Sequence, residues 1–224
     1  MHLFLHGALG AANQFDTFFS QYPEIKNKAL SLNFPGHGGL HSDQSFSLSY
    51  LGESVIRYMD AHDITRCHLF GYSMGGYVAL YLAGQYPERI ESVTTLNTKL
   101  DWTPEVVARM QGMMDPAKIL AKAPQVAAQM ATTHAPGDWT ELAAETGRFL
   151  EVLATGGGLP ETSFSSISCP VLLLRGDKDH VVTAQECERV TQLVPNATYL
   201  EVAESGHQWE QVRLSEIAGL INKS

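Results

Sequence analysis

The segment from His68 to Ala83 constrains this chain more than any other. His68-Leu69-Phe70 closes an apolar run with the character of a buried strand, and Tyr77-Val78-Ala79-Leu80-Tyr81-Leu82-Ala83 reads as a helix. Between them stands Gly71-Tyr72-Ser73-Met74-Gly75-Gly76, a serine flanked by glycine two positions to either side. A turn this sharp between strand and helix forces the serine into a strained backbone conformation and pushes its Oγ out of the fold. Side chains at Gly71 and Gly75 would collide with the turn. The spacing fits the G-x-S-x-G nucleophile elbow, with the Met74 N–H at the helix N-terminus facing any negative charge that develops beside Ser73. The alternative is a Gly-rich turn that only lets a helix pack closely on a strand.

Three further segments bear on that choice. Met1-His2-Leu3-Phe4-Leu5 is a short apolar strand ending in His6-Gly7-Ala8-Leu9-Gly10, where a backbone N–H just past the strand end, that of Ala8, is a second candidate anion donor. An ordinary strand-to-loop exit explains His6-Gly7 as well. The apolar run Cys169-Pro170-Val171-Leu172-Leu173-Leu174 leads into Arg175-Gly176-Asp177-Lys178-Asp179-His180, two carboxylates at a strand's C-terminal end. Asp179, further into the loop, is the candidate to orient a histidine, and Asp177 the candidate to cap the turn through its own backbone. Both as solvated turn residues is the other reading. Ser205-Gly206-His207 follows the last apolar strand, so His207 is third in the order Ser…Asp…His.

These pieces, with Phe34-Pro35-Gly36-His37-Gly38, occur in order along nearly the whole chain, and together they resemble the α/β-hydrolase fold proteins of the small, single-domain type. One departure is Asn33-Phe34 ahead of Pro-Gly-His-Gly, where the family usually carries an acidic residue. The resemblance implies a nucleophile Ser73, a base His207, an acid Asp179, and an oxyanion hole from the Ala8 and Met74 N–H groups. It implies hydrolysis of a carboxylic ester or thioester of a small acyl substrate, with no cofactor and no metal. The motif is also similar to the menaquinone-pathway lyases that eliminate pyruvate. Those tend to carry an arginine directly after the motif, where this chain has Tyr77. A non-catalytic receptor on the same fold is the third reading, set against the complete Ser73, Asp179 and His207 set.

Alternation of segments sets the fold class. Strands are expected at 2–6, 28–32, 66–71, 91–96, 170–175 and 198–202, and helices at 14–20, 48–62, 74–86, 183–193 and 208–221. That pattern implies an α/β fold with a mainly parallel central sheet of about six strands flanked by helices. Residues 98–165 break the rhythm with five prolines and the methionines Met110, Met113, Met114 and Met130. They are expected to form an inserted helical lid on a core of residues 1–97 and 166–224, with Gly156-Gly157-Gly158 as the return and a hinge. The methionines suit either an adaptable cover over an acyl chain or plain packing of the lid on the body.

Composition limits the partners. With 44% hydrophobic and 17% charged residues the chain has the material for a sizeable core. A net charge of −9 argues against nucleic acid and anionic membrane surfaces. No apolar run approaches the roughly 20 residues of a membrane span, and no leader is read ahead of the first strand. Cys67, Cys169 and Cys187 have no paired spacing and read as free thiols in a reducing compartment, with a cytoplasmic location expected. Arg109, Lys118 and Lys122 are the cations available to meet an acidic carrier protein. His37, His41 and Asp43 are a weak zinc set in a Gly-rich loop; His180 and His134 are expected at the surface, His134 with a lesser prospect of touching substrate.

Overall fold

The computed structural model describes residues 1–221. Six strands form one sheet: β1 (His2–Leu5), β2 (Ala29–Leu32), β3 (Cys67–Tyr72), β4 (Ile90–Leu96), β5 (Val171–Gly176) and β6 (Ala197–Val202). Their order is β2-β1-β3-β4-β5-β6, and every neighbouring pair is parallel. The chain therefore starts one strand in from an edge, takes that edge with β2, then returns and winds to the other. The crossover segments carry α1 (Asp16–Gln21), α2 (Pro23–Lys26), α3 (Leu48–Ala61), α4 (Met74–Gln85) and α10 (Ala184–Leu193), and α11 (Leu214–Ile221) follows β6. Between β4 and β5 lie five helices: α5 (Pro104–Met114), α6 (Pro116–Lys122), α7 (Pro124–His134), α8 (Trp139–Val152) and α9 (Glu161–Ser165). Proline at the first helical position starts α5, α6 and α7, so three of the prolines that break the sequence rhythm are helix starts.

Period-two alternation divides the core. Leu3, Leu5, Leu69 and Leu173 point to the face covered by α3, α4 and α10, while Phe4, Phe70 and Leu174 point to the face covered by α1 and α11. On the second face Phe4, Phe15, Phe18, Phe19, Phe70 and Trp209 form one aromatic cluster, with ring centroids such as Phe4–Phe70 at 4.7 Å and Phe15–Trp209 at 5.0 Å. Helix α4 is buried from Met74 to Leu80 on every side, which explains why its sequence shows no polar stripe.

Three local expectations change. The expected helix at 208–221 is instead a 3-10 turn, Trp209–Gln211, followed by α11 from Leu214; the Arg213 N–H bonds the Ser205 Oγ at 2.9 Å and breaks the run. His207 therefore lies in a loop and does not open a helix. The expected helix at 14–20 is a 3-10 turn, Ala12–Phe15, continued by α1. The return at Gly156 is a π-type helical turn, Leu153–Gly157, in which Gly156 takes φ +105°. Among the described residues, no helix is long and apolar enough to cross a membrane.

Candidate active site

The site sits where the strands end. Ser73 joins β3 to α4 with φ 51° and ψ −116°, a combination that belongs to glycine in a II′ turn. Its neighbours leave no room for anything else. A Cβ on Gly71 would overlap the Gly76 backbone, and one on Gly75 would overlap the Leu5 carbonyl oxygen of β1. The elbow is held by its main chain: the Ser73 N–H donates to Leu96 O at 2.8 Å, and Ser73 O accepts from Thr98 Oγ1 at 3.1 Å.

Asp179 follows β5 and is 3% exposed. Its Oδ1 accepts the Val181 and Val182 N–H groups at 2.7 and 3.0 Å, and its Oδ2 lies 2.8 Å from His207 Nδ1. Burial pushes the carboxyl pKa up, but the hydrogen bond and charge of His207 and the two N–H donors outweigh it, so the group stays below its ordinary value. An ionised carboxylate only accepts, which puts the His207 proton on Nδ1 and leaves the Nε2 lone pair free. Asp179 and His207 are thus brought together as the sequence implied. Asp177 reaches beyond its own turn: its Oδ1 accepts the Ser205 N–H at 3.0 Å, so it also pins the loop that carries His207.

That loop has a second anchor which sequence reasoning missed. Asn97, fully buried at φ 52° just past β4, donates Nδ2 to Gly206 O at 2.8 Å and to His207 O at 3.0 Å, and its Oδ1 accepts the Gly176 N–H at 2.7 Å. One side chain therefore ties together the ends of β4 and β5 and the histidine loop. The Tyr72 hydroxyl donates to the same His207 carbonyl at 2.9 Å. The available signal was positional: a polar residue directly after an apolar strand, at the same sheet edge as Ser73 and Asp179.

Ala8 lies in the loop after β1, and Met74 opens α4. Among the described residues, neither N–H has an acceptor within the protein. Both residues border the space around Ser73. The Ala8 loop is fixed by the Gly7 N–H on Gln14 Oε1 at 3.0 Å and by His134, whose Nε2 donates to Leu9 O at 3.0 Å while its Nδ1 accepts the Gly38 N–H at 3.0 Å. His134 is buried, not at the surface, because it bridges α7 to two loops of the core. Burial lowers its pKa, and likewise those of His6 and His37 beside it. His180 is exposed.

Ser73 and His207 line one open cleft of about 630 Å³, whose far wall carries Met113, Met114, Met130 and Val126. Ser73 also borders a smaller, more enclosed space of about 20 Å³ walled by Tyr77, Trp102, Met110, Phe149, Leu150 and Leu153. Lys99 borders that space with its ammonium 2.8 Å from the buried Glu186 carboxylate. Of the cations expected to meet a carrier, Arg109 donates to Val181 O at 3.3 Å and Lys118 lies 3.7 Å from Asp115.

A strand-end serine on a strained elbow, a histidine backed by a buried carboxylate and a parallel sheet beneath them define a class, and the chain belongs to it: it matches the α/β-hydrolase fold family over residues 3–208. Among curated relatives, it is 27% identical over 91% of its length to the dihydrolipoyllysine-residue acetyltransferase component of the acetoin cleaving system of Pseudomonas putida, of which it spans 57%. It is 26% identical over 72% of its length to the putative carbamate hydrolase RutD of Pseudomonas syringae, covering 68% of that protein. Among solved structures, MenH from S. aureus superposes with a TM-score of 0.73 at 21% identity, covering 99% of this chain and 91% of that one.

Proposed function

We propose that this chain is a serine hydrolase that cleaves a carboxylic ester or thioester of a small acyl substrate through an acyl-enzyme. The observation that carries the reading is the pairing of a strained Ser73 bordering the open cleft with a His207 lining the same cleft and held through Nδ1 by Asp179 at 2.8 Å. In this reading His207 Nε2 takes the Ser73 proton as Oγ bonds to the carbonyl carbon. The Ala8 and Met74 N–H groups receive the negative charge on the carbonyl oxygen. The tetrahedral carbon then expels the leaving oxygen or sulfur, which takes the proton from His207. Water, deprotonated by the same imidazole, cleaves the acyl-Ser73 bond and restores the free serine. Asp179 keeps the imidazole in the accepting tautomer and stabilises its charged form. The helical segment 98–165 acts as a lid over the cleft.

The pyruvate-eliminating alternative finds less support. The position after the motif holds Tyr77, buried and accepting the Leu159 N–H at 2.8 Å, where that chemistry asks for a cation.

The test is hydrolysis of p-nitrophenyl esters by wild type, Ser73→Ala and Asp179→Asn. Loss of the nucleophile removes on the order of 10⁶ in kcat, and loss of the acid about 10⁴, with the folded circular-dichroism spectrum retained. A folded Ser73→Ala protein turning over within tenfold of wild type overturns the assignment.

A further inference from the structure

The two spaces beside Ser73 are very unequal, and the serine mechanism gives each a role. Four substituents surround the tetrahedral carbon: Ser73 Oγ, the oxyanion, the leaving atom and the acyl substituent. The proton that His207 takes from Ser73 must be handed to the leaving atom, so the leaving group lies on the His207 side. His207 lines the 630 Å³ cleft and is absent from the wall of the 20 Å³ space. The acyl substituent, pointing away from His207, is directed into the smaller one. That space holds about one water-sized sphere.

Its wall is not easily enlarged. Tyr77, Phe149, Leu150 and Leu153 are each 4% exposed or less. Tyr77 is fixed by the Leu159 N–H and by an edge-on contact with Trp102 at 5.6 Å. Met110 borders both spaces, as Ala8 and Ser73 do, and is the one of the three with a bulky apolar side chain. The large cleft has the opposite character. Apart from His207, its one acidic or basic side chain among the described residues is Glu210, and Met113 and Val126 stand 55% and 38% exposed along it. Such a surface takes a neutral apolar group and repels an anion.

We infer that the substrate class is an ester or thioester joining a compact acyl group of about two or three carbons to a bulky, uncharged, largely apolar alcohol or thiol. The inference rests on the serine-hydrolase reading and adds the direction in which substrate lies across Ser73. Met110 is its specificity-determining residue, because it keeps long acyl chains from running into the open cleft.

Two ester series separate the ideas. In the first the acyl group lengthens from p-nitrophenyl acetate to butyrate, hexanoate and octanoate. In the second the acetyl group is constant and the alcohol lengthens from ethyl to butyl, hexyl and octyl acetate, followed by acid release at constant pH. The expected result is a fall in kcat/KM of at least about 100-fold from acetate to octanoate, since each methylene forced into a packed wall is penalised. Along the alcohol series kcat/KM rises about two- to fourfold per methylene as each is buried against the methionines. Met110→Ala joins the two spaces and raises the octanoate-to-acetate ratio at least tenfold. Leu153→Ala widens the small space from its other side and raises the butyrate-to-acetate ratio. Octanoate hydrolysed as fast as acetate by wild type, with Ser73→Ala inactive, overturns this inference and leaves the hydrolase reading standing; so does an octanoate-to-acetate ratio unchanged in a folded Met110→Ala protein. Absence of Ser73-dependent turnover in both series overturns the hydrolase reading itself.

Discussion

Replacing Asn97 by alanine removes three hydrogen bonds, of 2.7, 2.8 and 3.0 Å, that join three chain segments. The His207 carbonyl keeps a donor in Tyr72, but the Gly176 N–H loses its acceptor and the Gly206 carbonyl its donor inside the protein. A buried main-chain group left unpaired costs about 1–3 kcal/mol, so the two together cost about 2–6 kcal/mol. Alanine also tolerates the φ of 52° less well than asparagine. For a domain of this size each kcal/mol moves the melting temperature about 2–4 °C, and a central cost of about 4 kcal/mol lowers it by roughly 8–16 °C. Asn97→Asp is the sharper variant. Its carboxylate still accepts the Gly176 N–H but turns an oxygen toward two carbonyls that need a donor, which raises the folded-state pKa of that carboxyl. A group with a raised folded pKa stabilises below its unfolded pKa and loses that contribution as pH rises. The stability gap between Asn97→Asp and wild type therefore narrows from pH 8 to pH 5. Thermal and urea denaturation at both pH values, with kcat measured alongside, are the assays. An Asn97→Ala protein melting within 2 °C of wild type, with kcat within about twofold, refutes the tethering role.

Acid should weaken the fold through His6, whose Nδ1 donates to Gly7 O and whose Nε2 accepts the Phe34 N–H, so that only the neutral ring fits; burial draws its pKa down to about 4. Stability from that ring is complete above pH 6.5 and declines as pH falls, by about 2 kcal/mol at pH 5, which urea unfolding at pH 7.5 and 5 measures. Glu186→Ala strands the buried Lys99 ammonium and costs about 3–5 kcal/mol, while Lys99→Met costs less, because Glu186 keeps the N–H groups of Leu100, Asp101 and Thr183; equal losses in urea would contradict this. Ser73→Gly relieves the backbone at φ 51° and raises stability by about 1 kcal/mol or more, whereas Ser73→Ala retains the strain; calorimetry of the two inactive proteins distinguishes them.

What was legible in the sequence was whatever local pattern encodes. Leu3-Phe4-Leu5 and Leu69-Phe70 announce strands buried on both faces, and the two glycines around Ser73 announce a turn that the Leu5 carbonyl and the Gly76 backbone make unavoidable. What escaped depends on partners far along the chain. Asn97 finds its two acceptors and one donor 79 to 110 residues away, and His134 reaches Leu9 across 125. Beyond Asn97's place directly after an apolar strand, nothing near either residue hints at burial. The break between His207 and α11 is of the same kind. Residues 208–213 would tolerate a helix, but Trp209 is drawn into the aromatic cluster of Phe15 and Phe18, and the Ser205 hydroxyl claims the Arg213 N–H. The four-residue α2 was missed because one turn is too short to show periodicity.

The division of labour in this fold follows from where its hydrogen bonds end. Ser73, Asp179 and His207 are held by the ends of β3, β4 and β5 and the loops after β5 and β6, through Leu96, Thr98, Asn97, Tyr72, Asp177 and the Val181 and Val182 N–H groups. Parallel pairing from β1 to β6, with its one register shift at Cys67/His68 at the opposite end of β3, makes those ends a common rigid edge. Helices α5 to α8 touch that apparatus differently: His134 donates to Leu9 O, next to Ala8, and Arg109 donates to Val181 O, whose own N–H holds Asp179. Most of their remaining contribution to the site is apolar surface, chiefly methionine, which reshapes without strict directional demands, beside Gln129 and Thr133 of α7. Directional bonds thus fix Ser73, Asp179 and His207, and non-directional contacts shape the space beside them. Substitutions along the methionine wall should therefore alter which ester is accepted while leaving the Asp179–His207 pair, and the pH dependence it sets, where they are.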